Sequence, residues 1–122
     1  MKKIKTENAP KALGPYSQAV VSGNLLFTSG QGGIDPAKGT LLEGLEAQTE
    51  QVMKNIEALL KEAGTDFSKV VKTTCFLKDM NDFKDFNEIY GRYFTEKPAR
   101  SCVAAADLPG GFLVEVEVIA EL

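Results

Sequence analysis

The sequence contains no histidine. That absence removes the commonest general base and a common metal ligand. Ser-His and Cys-His nucleophile systems are excluded, and so are zinc sites built on imidazole. Cysteine is nearly as scarce. Cys75 and Cys102 stand far apart with no CxxC spacing, too few for a disulfide framework or a zinc site. No run of basic residues occurs and the formal net charge is -3, so the clustered positive footprint of a nucleic-acid surface is missing. No apolar stretch is long enough to cross a membrane. The opening Met1-Lys2-Lys3-Ile4-Lys5 runs on into polar residues, unlike a secretory signal, and a reducing, cytoplasmic compartment is expected. Any catalysis must then rest on carboxylates, Arg, Lys, Tyr, Cys, backbone groups and water.

What is present suits one globular domain spanning residues 1–122, with 43% hydrophobic and 25% charged residues. Gln18–Val21 and Leu25–Ser29 read as two strands around the turn Ser22-Gly23-Asn24. Gly30-Gln31-Gly32-Gly33 and Asp35-Pro36 mark a loop. A long helix is expected next, with Thr40 and Glu43 as a capping box and Gly64 as its C-terminal stop. Leu42, Leu45, Val52, Ile56, Leu59, Leu60 and Ala63 form its apolar stripe. Val70–Lys78 alternates as a strand with Val71, Thr73, Cys75 and Leu77 on one face. Asn81 is placed to cap a second helix, on which Phe83, Phe86, Tyr90 and Phe94 make an aromatic core stripe. Pro98 leads into Ala99–Ala106. The last strand, Leu113–Leu122, sets Val114, Val116, Val118 and Ala120 against Glu115, Glu117, Ile119 and Glu121. Strands and helices do not alternate strictly. The expected fold is therefore α+β: a mainly antiparallel sheet of about six strands with two helices on one face.

Period two sets Arg100, Cys102 and Ala104 on one strand face. A guanidinium beside small residues leaves room for a planar carboxylate, which it grips through paired hydrogen bonds. On that segment alone a rim salt bridge is the better account. Glu115 and Glu117, roughly 7 Å apart by strand rise, could do acid/base work, although an alternating Glu/Val strand is more often a solvated face. Tyr16 follows a Gly-Pro turn and either packs at the core edge or offers its hydroxyl to a cleft. Thr28-Ser29-Gly30-Gln31 ends a strand with small residues where a ligand can approach the backbone. No phosphate-loop pattern follows it. Cys75 reads as core. Cys102 lacks a histidine to activate it as a nucleophile.

These segments together resemble the RidA (YjgF) family of reactive-intermediate imine/enamine deaminases. The matching stretches are Thr6-Glu7-Asn8-Ala9-Pro10, Gly14-Pro15-Tyr16-Ser17-Gln18-Ala19, Thr28-Ser29-Gly30-Gln31 and Val71-Lys72-Thr73-Thr74. They continue through Leu77-Lys78-Asp79-Met80-Asn81-Asp82-Phe83, Tyr93-Phe94, Pro98-Ala99-Arg100-Ser101 and Val114-Glu115-Val116-Glu117, covering nearly the whole chain in order. The resemblance implies a chorismate-mutase-like homotrimer whose sheets pack around a central barrel, with sites between subunits. It implies hydrolysis of 2-imino acids such as 2-iminopropanoate to 2-keto acids and ammonia, without cofactor or metal. Arg100 would hold the substrate carboxylate, Glu115 would position or activate water, and the backbone at Cys102 would contact ligand. Tyr16 and Ser29 would line the pocket, with Asn87 as a further contact. The segment Thr95-Glu96-Lys97 is shorter than the family's usual loop and lacks its aromatic residue, which bears on substrate range. Two other functions compete: a keto-acid or small-carboxylate binding and sensing module, and an RNA-cleaving translation inhibitor. Acidity and the missing histidine count against the latter.

Overall fold

Alternating valine and glutamate near the C-terminus build a strand at the centre of the sheet. In the computed structural model, which describes residues 1–122, that strand is β8, Val114–Glu121. Val114, Val116, Val118 and Ala120 are buried, and the intervening residues face the other way. Before it in the chain come β1 (Lys2–Ile4), β2 (Ala19–Ser22), β3 (Leu25–Thr28), β4 (Ile34–Asp35), β5 (Thr40–Leu41), α1 (Leu45–Ala63), β6 (Val70–Leu77), α2 (Phe83–Tyr93) and β7 (Ala99–Ala104). The main sheet has six strands in the order β1-β2-β3-β8-β6-β7, and β4 and β5 form a separate hairpin. Every neighbouring pair is antiparallel except β6–β7. That parallel pair needs a crossover, and α2 supplies it. The α+β class, with two helices on one face of a mostly antiparallel sheet, is the one expected. No helix is long and apolar enough to cross a membrane.

Several local expectations change. The capping box does not form, because Thr40 lies in β5, paired with β4 through Asp35. Gly39, at φ 71, turns the chain between the two strands of that hairpin and Gly44, at φ 88, turns it out, so α1 starts only after Gly44 and has no side-chain cap. Gly64 ends α1 as expected, at φ 84, with its N–H on the Lys61 carbonyl. Asn81 does not cap α2. Asp79 accepts its N–H instead and starts a short 3-10 turn over Met80–Asp82, after which the helix begins at Phe83. On β6 a bulge between Val70 and Lys72 exposes Val71, 39% accessible, and buries Val70 in its place. The basic edge strand β1 had no periodic signal to reveal it.

The helices and the sheet face beneath them enclose one core, in which Ile56, Leu59 and Leu60 of α1 and Phe86, Tyr90 and Phe94 of α2 meet Leu26, Cys75, Leu77 and the β8 valines. Burying such side chains contributes roughly 1.5–3 kcal/mol each. Polar residues inside that core are all partnered. Asn55, fully buried on α1, donates to the carbonyls of Gly32 and Ile34 at 3.1 and 3.0 Å. Gln48 donates to Leu42 O and accepts from Leu113 N. These two side chains fix the glycine-rich loop over the helix. Gln18, 5% exposed, pins the N-terminal segment by donating to the carbonyls of Thr6, Ala9 and Pro10. The opposite sheet face stays open. It carries Phe27 and Val103, 37% and 47% exposed, with half-buried Val20, Phe76 and Ile119.

Candidate active site

The predicted residues fall into two groups, on opposite sides of the sheet. Arg100 pairs in register with Thr73, whose side chain is buried beneath α2. Its guanidinium therefore lies on the helix-covered face, near the exposed edge formed by β7. It sits over the rings of Tyr90 and Phe83, 4.7 and 5.4 Å from their centroids, and Nη1 donates to Asn87 Oδ1 at 2.7 Å. Tyr90 is itself fixed by a 2.7 Å hydrogen bond between its hydroxyl and Thr73. The setting of Arg100 is thus an aromatic cradle on α2 rather than a gap beside small residues. The two ion pairs of the chain are Lys78–Asp107 and Arg92–Glu50, so this half-buried guanidinium has no carboxylate partner of its own.

Cys102 neighbours Cys75 in the β6–β7 register, and both thiols are free. Burial pushes the Cys75 thiol up to about 12. Burial also raises Cys102, against the opposing pull of Arg100. A thiol held protonated is a poor nucleophile.

Glu115 belongs to the other group. Its neighbours Val114 and Val116 are buried under the helices, so its carboxyl emerges on the open face, beside Glu117. Burial raises the Glu115 pKa above the usual carboxylate range, and the like charge of Glu117 adds to the rise. The carboxylate lies against the backbone of Gly30, where a Cβ would collide with Oε2. Gly30 is not at positive φ, so what an added side chain would meet there is the Glu115 carboxylate and not a backbone restriction.

A register break makes the site. Pairing of β3 with β8 stops at Phe27–Ile119 and resumes at an isolated bridge between Gln31 and Val116. Between them Thr28 Oγ1 accepts the N–H of Val118 at 3.0 Å, while Ser29 turns its hydroxyl to Ser17 O at 2.6 Å. Ser29 N–H goes to Gln18 O and Gln31 N–H to Val116 O, but Gly30 N–H makes no backbone hydrogen bond. The break opens a cleft of about 710 Å³ lined by Tyr16, Ser29, Gly30, Gln31, Glu115 and Glu117 at its polar end. That volume lies in the range of small-molecule sites, roughly 300–1,000 Å³. Tyr16 is 55% exposed at the rim, its hydroxyl accepting from Leu13 N at 3.4 Å. No group of three or more Cys, Asp or Glu residues is arranged to hold a metal ion.

Tyr16, Ser29 and Glu115 thus share one cleft, and Arg100, Asn87 and Cys102 share another surface. Sequence reasoning missed Gly30 as the seat of the carboxylate and Tyr90 and Phe83 as the seat of the guanidinium. The aromatic stripe on α2 was legible, but only the fold brings it under Arg100.

The α+β domain thus carries a carboxyl-lined cleft on one sheet face and an arginine without an ion-pair partner on the other. The Endoribonuclease L-PSP family model matches residues 6–122. The chain is similar to a Lactococcus lactis protein named "Putative regulator AldR", 52% identical over 100% of this chain and 98% of that protein. It is 46% identical to the 2-iminobutanoate/2-iminopropanoate deaminase of Salmonella typhimurium over 98% of this chain and 96% of that one. The crystal structure of RidA from an Antarctic Psychrobacter superposes with a TM-score of 0.97 at 44% identity, covering 100% of both chains. The protein belongs to the RidA (endoribonuclease L-PSP) family.

Proposed function

We propose that this protein hydrolyses 2-imino and enamine acids, such as 2-iminopropanoate, to the 2-keto acid and ammonia. The observation that carries the reading is Arg100, a guanidinium fixed by Asn87 and two aromatic rings yet paired with no carboxylate of its chain. Such a group is a preorganised receptor for a small carboxylate, each charge-assisted bond contributing roughly 1.5–3 kcal/mol. The deaminase name of the Salmonella relative supports the same reading.

Arg100 and Glu115 reach one substrate only if two copies of the chain meet. The open sheet face, with Phe27, Val103 and Phe76 partly exposed, is suited to packing against further copies. In this proposal the protein is a homotrimer, and each site joins Arg100, Asn87 and the Cys102 backbone of one subunit to Tyr16, Ser29 and Glu115 of the next. The imine carbon is already electrophilic, so the protein need only orient it and manage protons. Water adds to C2 as Glu115 accepts its proton, and the C=N electron pair moves to nitrogen. Glu115 returns that proton to nitrogen to give the carbinolamine, which then collapses: the hydroxyl proton passes through Glu115 to nitrogen, the C=O bond forms, the C–N bond breaks, and ammonia leaves. The Gly30 N–H is free to bond an oxygen on which charge develops. No histidine is required. A reducing, cytoplasmic setting is consistent with two unbridged thiols.

The test is to generate 2-iminopropanoate with a dehydratase and follow its decay. Wild-type protein is expected to accelerate the decay, and Arg100→Ala to return it close to the buffer rate. Wild-type decay equal to buffer would sink the reading.

The competing reading is a non-catalytic keto-acid or small-carboxylate binding and sensing module. Calorimetric binding of keto acids with no rate enhancement would establish that instead. The family's ribonuclease name has less support here, because the chain is acidic and has no histidine.

A further inference from the structure

The polar end of the cleft accounts for only part of it. Apolar side chains also line the cleft, among them Leu13, Ile34, Leu41, Pro109 and Phe112. A three-carbon 2-keto or 2-imino acid carries only a methyl group with which to contact them.

Phe112 is held in that wall by glycines. A Cβ on Gly32 would run into the ring at Cε2, and one on Gly110 would come within 3.2 Å of Cε1. Gly32 is not at positive φ, so its missing side chain serves space rather than backbone conformation. Its carbonyl is tied down by Asn55 at 3.1 Å, and the next residue along from Phe112 donates its N–H to Gln48. The ring therefore lies on a fixed backbone, half-exposed toward the cleft. The short run from Phe112 into the start of β8 brings ring and carboxyl to one cavity.

We infer that Phe112, seated on Gly32, is a specificity-determining residue that selects 2-imino or 2-keto acids with extended apolar side chains over the three-carbon acid. This rests on the reading that the cleft takes such acids next to Glu115. Apolar contact scales with area removed from water, so each added methylene that reaches the wall strengthens binding.

Calorimetry on the intact protein tests this with two stable 2-keto acids, pyruvate and 4-methyl-2-oxopentanoate. Wild type is expected to bind the branched acid at least about tenfold more tightly. Phe112→Ala removes the wall, and Gly32→Ala pushes the ring into the cleft. Each is expected to bring the affinity ratio to within about twofold of unity. Phe112→Leu keeps apolar surface and should keep most of the preference, which separates a lost wall from a lost fold. Equal wild-type affinities, no binding of either acid, or a preference that survives both alanine variants would overturn the inference. The imine-decay assay is independent of it. Selective binding without turnover leaves the inference standing and removes the hydrolase, and turnover without selectivity does the reverse.

Discussion

Arg100 and Glu115 leave opposite faces of the same six-stranded sheet. Arg100 lies on the side covered by α2, against Tyr90 and Asn87, and Glu115 emerges on the side that no helix covers. One subunit cannot apply both to a single small acid. If catalysis needs both, it needs two copies, and this can be tested by mixing inactive variants. Arg100→Ala and Glu115→Gln are each expected to lose about a hundredfold or more in kcat/KM. Unfolded together in equal amounts and refolded, they should recover about a quarter of wild-type activity, because random assembly pairs the two intact halves at that fraction of sites. A mixture no more active than its components would place the whole reaction on one face.

Gly30 offers a test of how tightly Glu115 must be held. An alanine Cβ there collides with the Glu115 carboxylate, while the backbone conformation itself suits any residue. Gly30→Ala should therefore fold with a melting temperature near that of wild type and displace the carboxylate. A misplacement on the order of 1 Å costs up to about a hundredfold in rate. Thermal melting and steady-state kinetics, run side by side, check both halves of the expectation.

The fold was legible where one force dominated. The β8 alternation and the apolar stripe of α1 are set by burial, and burial is what periodicity reports. The start of α1 was misread because Thr40 suits a cap and a strand alike, and its partner Ile34–Asp35 lies across a turn that no window joins to it. Val71 was misread because a bulge shifts the face of a strand without changing its pattern. The site was legible as residue types, arginine and glutamate in particular. Their separation by a sheet was not, because it depends on the register of three strands. Nor was Phe112, whose ring is seated on Gly32, a glycine distant in sequence.

Tyr90 has two jobs that substitution can pull apart. Its hydroxyl bonds Thr73 in the core, and its ring carries the Arg100 guanidinium. Tyr90→Phe keeps the ring and strands a buried threonine hydroxyl, so stability should fall by about 1–3 kcal/mol with KM little changed. Tyr90→Leu removes the cation–π surface, worth roughly 0.5–2 kcal/mol, and should raise KM several-fold beyond any loss of stability. Chemical denaturation and initial-rate kinetics on both variants resolve the two effects. Equal KM values would show that the ring does not position Arg100.

Glu115 should reveal itself through pH. Its carboxyl pKa is raised, chiefly by burial and further by Glu117. As a proton acceptor it acts only when ionised, so kcat/KM is expected to rise with pH through that raised value and then level off. Glu117→Gln removes the like charge, which favours ionisation of Glu115 and should move the acid limb to lower pH. The stability sign runs the other way. A carboxyl whose pKa is higher in the folded than in the unfolded chain contributes most stability below the unfolded value, near about 4.3. That contribution is lost as pH rises through the folded value. Glu115→Gln, permanently neutral, should therefore melt above wild type at neutral pH, and the difference should close as pH falls toward 4. An activity loss accompanied by a higher melting temperature would mark Glu115 as a group held at a cost to the fold for its chemistry. A variant that melts below wild type at neutral pH would instead make the carboxylate a structural group.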